Sequence, residues 1–222
     1  ESNAFDVSIK RDDIEYVIPA EEFTINRAAE NLGVAENDFQ DIRIEVRVEK
    51  LDEKTSEEYR KAARANGAEL IFLPVSFEIV AKTTDKYGKT KDFTVSKFSN
   101  YVERIMEIPA GIDKNRITTG IVFNSDGTYS HVPTSVFEKD GRWYARVNSL
   151  TNSDYSVIYN AVTVESAEKH WAKDTINDMA SRMVLIRPES FEPDKFINRA
   201  DFAEYIVRAL GIYREDSIYE NK

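Results

Sequence analysis

Residues 170–212 admit few folds. Ala172, Ile176, Met179, Ala180 and Met183 recur at spacings of three and four, which places them on one face of a helix, and Phe202, Ala203, Ile206, Val207 and Leu210 repeat the pattern. Pro188 and Pro193 lie between the two runs. Each lacks a backbone N–H and drives its predecessor into extended geometry, so one continuous helix is excluded. The second helix has readable ends. Asn198 is placed to accept a first-turn N–H, Asp201 favours the positive helix terminus, and Gly211 stops the helix without steric penalty. The stretch predicts two short helices around a polar elbow.

Ahead of it the period is two. Residues 5–17 hold two extended pieces, with Val7 and Ile9, then Ile14, Tyr16 and Ile18, ended by Pro19. In residues 41–48, Ile42, Ile44, Val46 and Val48 alternate with Arg43, Glu45, Arg47 and Glu49, one buried face and one solvated charge ladder. Residues 70–82 read as a strand that turns at 85–88 back to Phe93 and Val95. Residues 101–108 form another strand, 117–123 and 129–132 flank a hairpin turn at 124–127, and Lys139-Asp140-Gly141 turns into 143–147. Residues 148–153 read as a polar loop before a last strand at 155–159. Two helices interrupt the strands, at 21–32 and 55–66, the second with Tyr59, Ala62, Ala63 and Ala65 to pack. The chain is therefore expected to be α+β: a mainly antiparallel, β-sandwich-like domain with two helices at 1–160, a small α-helical hairpin at 161–214, and a tail at 215–222.

The hairpin resembles an S-layer homology (SLH) repeat, through His170-Trp171-Ala172 with Asp174 and Ile176, Phe191-Glu192-Pro193-Asp194, Ile197-Asn198-Arg199-Ala200-Asp201-Phe202 and Arg208-Ala209-Leu210-Gly211. These segments span about one repeat in order. SLH repeats usually read Ile-Thr-Arg-Ala-Glu where this chain has residues 197–201, and commonly carry a glycine-rich turn where it has Arg187-Pro188-Glu189-Ser190. The preceding part resembles the β-rich region that often stands before SLH repeats in surface proteins of Gram-positive bacteria, through Tyr101-Val102-Glu103-Arg104, Gly127-Thr128, His131-Val132-Pro133-Thr134, Asn148-Ser149-Leu150-Thr151-Asn152-Ser153 and Tyr155.

The resemblance implies an extracellular protein of the cell surface or S-layer that anchors its parent non-covalently to secondary cell-wall polysaccharide, often bearing a pyruvate ketal. The ligand is held in grooves where three repeats meet, so further SLH repeats are implied as partners, and the tail at 215–222 would lead into the next one. Arg199 would pair with a carboxylate, Trp171 would offer an apolar face to a sugar, and Asp174 would accept a hydrogen bond. The plainer reading makes Trp171 an anchor of the hairpin core, and this is the role expected of it. Asn198 and Asp201 are assigned to capping, with Gly211 as the stop.

Composition excludes several alternatives. A net charge of −10 argues against nucleic acid, which needs a basic face to displace counterions. With no cysteine there are no disulfides, thiolate metal sites or cysteine nucleophiles. No apolar run approaches the roughly 18 to 20 residues that span a bilayer, and a soluble protein is expected. His131 and His170 are the two histidines, and neither belongs to a triad, phosphate-loop or zinc-helix pattern. His131 reads as a surface or half-buried strand residue and His170 as a packing or capping one. Residues 124–127 lack the later acid of a calcium loop. No enzyme activity, cofactor or metal is expected. The rival readings are a carbohydrate- or protein-binding β module with a structural helical cap, and a fragment of a secreted glycan-active enzyme.

Replacing Asn198 by Ala removes a cap worth roughly 1 kcal/mol. The melting temperature is expected to fall while affinity for wall polymer stays the same; calorimetry and cosedimentation with wall preparations check the pair.

Overall fold

The alternating segments build two antiparallel sheets. A computed structural model describes residues 5–23, 39–85, 87–124 and 126–213. The first sheet has the order β1-β2-β7-β11-β10, from β1 (Asp6–Arg11), β2 (Ile14–Pro19), β7 (Lys97–Glu107), β10 (Thr134–Lys139) and β11 (Arg142–Thr151). The second runs β3-β5-β12-β8-β9, from β3 (Phe39–Lys50), β5 (Val75–Asp85), β8 (Thr119–Phe123), β9 (Tyr129–Val132) and β12 (Asp154–Tyr159). Two short strands join it, β4 (Glu69–Leu70) on β12 and β6 (Thr90–Thr94) on β5. Tyr16, Val102, Met106, Ala145 and Val147 of the first sheet meet Val48, Phe77, Ile79, Val122 and Tyr155 of the second in one buried core. The mainly antiparallel, sandwich-like expectation holds.

The outer face of the second sheet is covered in part, over β8 and β12. Helix α1 (Glu53–Ala65) starts at Asp52, whose carboxylate accepts the Thr55 N–H at 3.0 Å, and is followed by Gly67 at φ +76°. Ala63 is buried with Ile121, Phe123 and Ile158, and Tyr59 stacks on Phe123 at 3.6 Å. Ser56 is buried as well, its hydroxyl donating to the Leu51 carbonyl, whereas Ala65 is exposed. Strand β8 is consequently buried at all five positions.

The chain changes sheets at Pro133, between β9 and β10. Proline has no N–H to give a ladder, so pairing can stop and restart there. Gly120 lies opposite. A Cβ on it would sit 2.7 Å from Thr134 Oγ1 and 2.8 Å from Val147, and its own N–H donates to Thr134 Oγ1 at 2.7 Å.

Four expectations need correction or fall outside the described residues. Residues 148–151 continue β11 rather than looping, because Ser149 pairs with Val102 and bonds the Tyr155 hydroxyl inside the fold. The strand at 70–82 is two pieces, β4 and β5, separated at Pro74. Of the helix at 21–32, Ala20–Phe23 form a 3₁₀ turn and the rest lies outside the described residues, as does the tail at 215–222.

The C-terminal part carries α2 (Lys173–Ser181) and α3 (Arg199–Ala209). Val164, Ala167, Ala180 and Leu185 form its small core, flanked by Ile176, Met179, Phe191 and Tyr205. Asn160 Nδ2 donates to the Ser181 carbonyl at 2.7 Å, and Asn177 Oδ1 accepts the Val164 N–H at 2.9 Å, which ties α2 to the segment leaving β12.

At the centre of the sandwich stands Arg104, fully buried on β7. Its guanidinium lies 4.1 Å from the Tyr155 ring centre, 5.1 Å from Phe77 and 5.2 Å from Tyr16, and donates to the carbonyls of Val102 and Thr151. Arg104→Met removes both of these donors and the ring contacts from the core, although the Tyr155 hydroxyl still donates to the Thr151 carbonyl, and should cost about 3 kcal/mol. Arg104→Lys keeps the charge without the planar fork and should also lose stability. Urea unfolding checks both; a more stable Met variant would show the charge to be a burden.

Candidate ligand-binding surface

The site begins at the entry to α2, where a histidine and a tryptophan part company. His170 Nδ1 accepts the Ala172 N–H at 3.1 Å, and its Nε2 lies 3.4 Å from Asp194 Oδ1, so the ring braces the turn ahead of the helix and reaches the 192–195 turn. Trp171 is 91% exposed, its ring tilted against His170 at 5.4 Å. The expected role as a core anchor is therefore overturned. His170 takes the inward position through its hydrogen bond, and the adjacent residue of the turn points out. Asp174, in the first turn of α2, is exposed.

Arg199 opens α3 and is exposed, without an ion pair among the described residues. Asn198 Oδ1 accepts the Asp201 N–H at 2.8 Å, and Asn198 Nδ2 donates to the Asp201 carboxylate at 2.7 Å. Arg187, in the left-handed region at φ +51°, reaches Asp201 at 3.6 Å. No hydrogen bond or ion pair joins Trp171, Asp174 and Arg199 among the described residues.

The apolar stripe of α3 does not face the small core. Phe202, Ile206 and Leu210 are exposed, as are the neighbouring Ile197 and Ile212, and Phe196 is 100% exposed. Tyr205, from the other side of the helix, packs against the Val164 cluster instead. Helical spacing put these side chains on one face, but nothing in the described chain covers that face.

The C-terminus of α3 is what the sandwich holds. Gly211, at φ +66°, comes so close to the sheet corner that a Cβ would lie 2.6 Å from Pro133 Cδ and 3.0 Å from Val132 Cα. The Tyr101 hydroxyl donates to the Leu210 carbonyl at 2.7 Å. Gly211 therefore serves both as helix stop and as the point of closest approach. Sequence reasoning missed this joint, although Tyr101 and residues 131–134 were singled out for their resemblance to a spacer region.

His131 belongs to the same joint and is buried, not half-exposed as expected. Its Nδ1 lies 2.6 Å from Thr119 Oγ1. Burial, helped by the charge of Arg182, holds its pKa down to about 4. Among the described residues no group of histidine and acidic side chains is arranged to hold a metal ion, and no helix is long and apolar enough to cross a membrane.

No family profile and no solved structure matches the chain. A 68-residue stretch, 30% of the chain, is 34% identical to exoglucanase XynX of Acetivibrio thermocellus. An equally long stretch is 34% identical to endo-1,4-beta-xylanase A of Thermoanaerobacterium saccharolyticum. The match covers 6% of each of these proteins, so the chain spans only a small part of the relatives it resembles.

His131 makes stability depend on pH. An unfolded histidine takes up its proton near pH 6.5, whereas the folded ring resists protonation until about pH 4, so stability is full above 6.5 and falls between 6.5 and 4. Between pH 7 and pH 5 the loss should be about 2 kcal/mol. His131→Asn, which keeps an acceptor toward Thr119, should flatten that dependence in urea titrations at the two pH values.

Proposed function

We propose that the chain is a non-catalytic part of a bacterial cell-surface protein that holds its parent on the wall by binding secondary wall polysaccharide. In this reading residues 1–160 are a spacer and residues 161–214 act as one SLH-type repeat. The observation that carries it is the uncovered apolar face of α3, in a unit whose Trp171 and Arg199 are also exposed. A folded unit that leaves Phe196, Phe202, Ile206 and Leu210 in solvent is suited to burial against further units of its own kind. Such neighbours would complete a groove in which Arg199 pairs with an acidic group of the polymer, Trp171 stacks on a sugar and Asp174 accepts a hydroxyl.

A second reading, a glycan-binding β module or part of a secreted glycan-active enzyme, draws support from relatives named as an exoglucanase and a xylanase. The shared stretch is 6% of each relative, which fits an accessory segment at least as well as a catalytic one.

Cosedimentation with Gram-positive walls separates the two. Anchoring predicts retention on intact walls, loss after the secondary polymer is stripped with hydrofluoric acid, and at least fivefold weaker retention for Arg199→Ala with an unchanged melting temperature. Retention that survives both stripping and Arg199→Ala would sink the anchoring role. A tryptophan response to unsubstituted xylo-oligosaccharide confined to Trp143 would favour the second reading.

A further inference from the structure

A cleft of about 540 Å³ lies where the β10 edge of the first sheet meets the end of α2. Its walls include Lys114, Asn115, Ser135, Trp143 and Arg182, and no carboxylate lines it, in a chain that carries 40 acidic residues against 30 Lys and Arg. We propose that this cleft is a binding site separate from Arg199, and that it takes a carboxylate-bearing sugar of an acidic polysaccharide.

Lys114 is held in place before any ligand arrives. Its Nζ sits 3.5 Å from the centre of the Trp143 ring and has no carboxylate partner among the described residues. Arg182 is oriented from the other side. Its Nε lies 2.9 Å from both oxygens of Asp178, and its Nη1 touches only the Thr134 carbonyl, at 3.5 Å, so the outer edge of the guanidinium stays available. Asp178 offsets part of the charge of Arg182, which leaves Lys114 as the stronger attraction.

The neutral groups decide the class of ligand. The hydroxyls of Thr118 and Thr134 are used inside the fold, accepting from the Asn160 and Gly120 N–H groups. The Asn115 carboxamide and the Ser135 hydroxyl have no partner among the described residues. An inorganic anion would fill a small part of such a cleft. A pyranose carrying a carboxylate would use its polar walls, with ring hydroxyls on Asn115 and Ser135 and its charge between Lys114 and Arg182, and would leave room for a neighbouring sugar of the chain.

The test uses the full chain with Trp171→Phe, so that Trp143 is the only indole reporter. It is titrated with a glucuronic acid-substituted xylo-oligosaccharide, with teichuronic acid, and with the unsubstituted xylo-oligosaccharide. A saturable fluorescence change is expected with an acidic probe, at least tenfold weaker binding of the neutral one, and weakening by salt. The tighter acidic probe identifies the source as plant or wall polymer. Lys114→Gln, at an exposed position, should cost at least tenfold, and Lys114→Arg should recover part of it. No saturable response to either acidic probe, equal affinity for the neutral one, or an unaffected Lys114→Gln would overturn the proposal. Arg199→Ala should leave this response intact, so the two sites fail separately.

Discussion

Arg104 carries a full positive charge with no exposed surface, and the two sheets close around it. A guanidinium tolerates this better than an ammonium, since it is weakly hydrated and its flat faces suit aromatic rings. The rings come from both sheets, Tyr16 from one and Phe77 and Tyr155 from the other. Burial pushes the Tyr16 pKa up to about 12, so its hydroxyl stays a neutral donor to Asn152 Oδ1, while Asn152 Nδ2 donates to the Val95 carbonyl. A one-residue slip of β7 would move Arg104 to the solvent face and bring Ile105 inward, leaving these groups unpaired. The polar cluster thus reinforces the register that inward-facing Val102 and Met106 already favour.

The same demand for close fit governs the junction with the helical part. Pro133 lets the chain leave one sheet for the other, and Gly211 lets the end of α3 touch that corner. Tyr101 closes the contact from β7, and His131 sits buried within it as a neutral ring. Because α3 is held by its C-terminus and by Tyr205, its apolar stripe turns outward. The exposure that supports a role in assembly is therefore a consequence of how the sandwich grips the helix.

Much of the fold was legible. The alternation around Ile44, the turn at Asp140-Gly141, the cap at Asn198 and the stop at Gly211 depend on neighbours within a few residues, and the backbone obeys them. Arg104 could also have been found, since it alternates in step with Val102 and Met106 on the inward face of β7. The candidate surfaces were less legible. Trp171 was expected inside because large aromatic side chains usually are, but His170 had already taken the inward place. The cleft at Trp143 draws on the 114–116 turn, two strands and the end of α2, and no spacing along the chain announces that meeting.

By itself the sequence determined where period two gives way to helical spacing, where the chain turns and how the helices are capped, because steric and hydrogen-bond preferences act over a few residues. Only the tertiary structure decided which faces are covered: Arg104 and His131 inside, Trp171 and the Phe202 stripe outside. Burial is a property of two surfaces that meet, and residues such as Gly211 and Pro133, nearly eighty positions apart, acquire a shared role only once the fold brings them together.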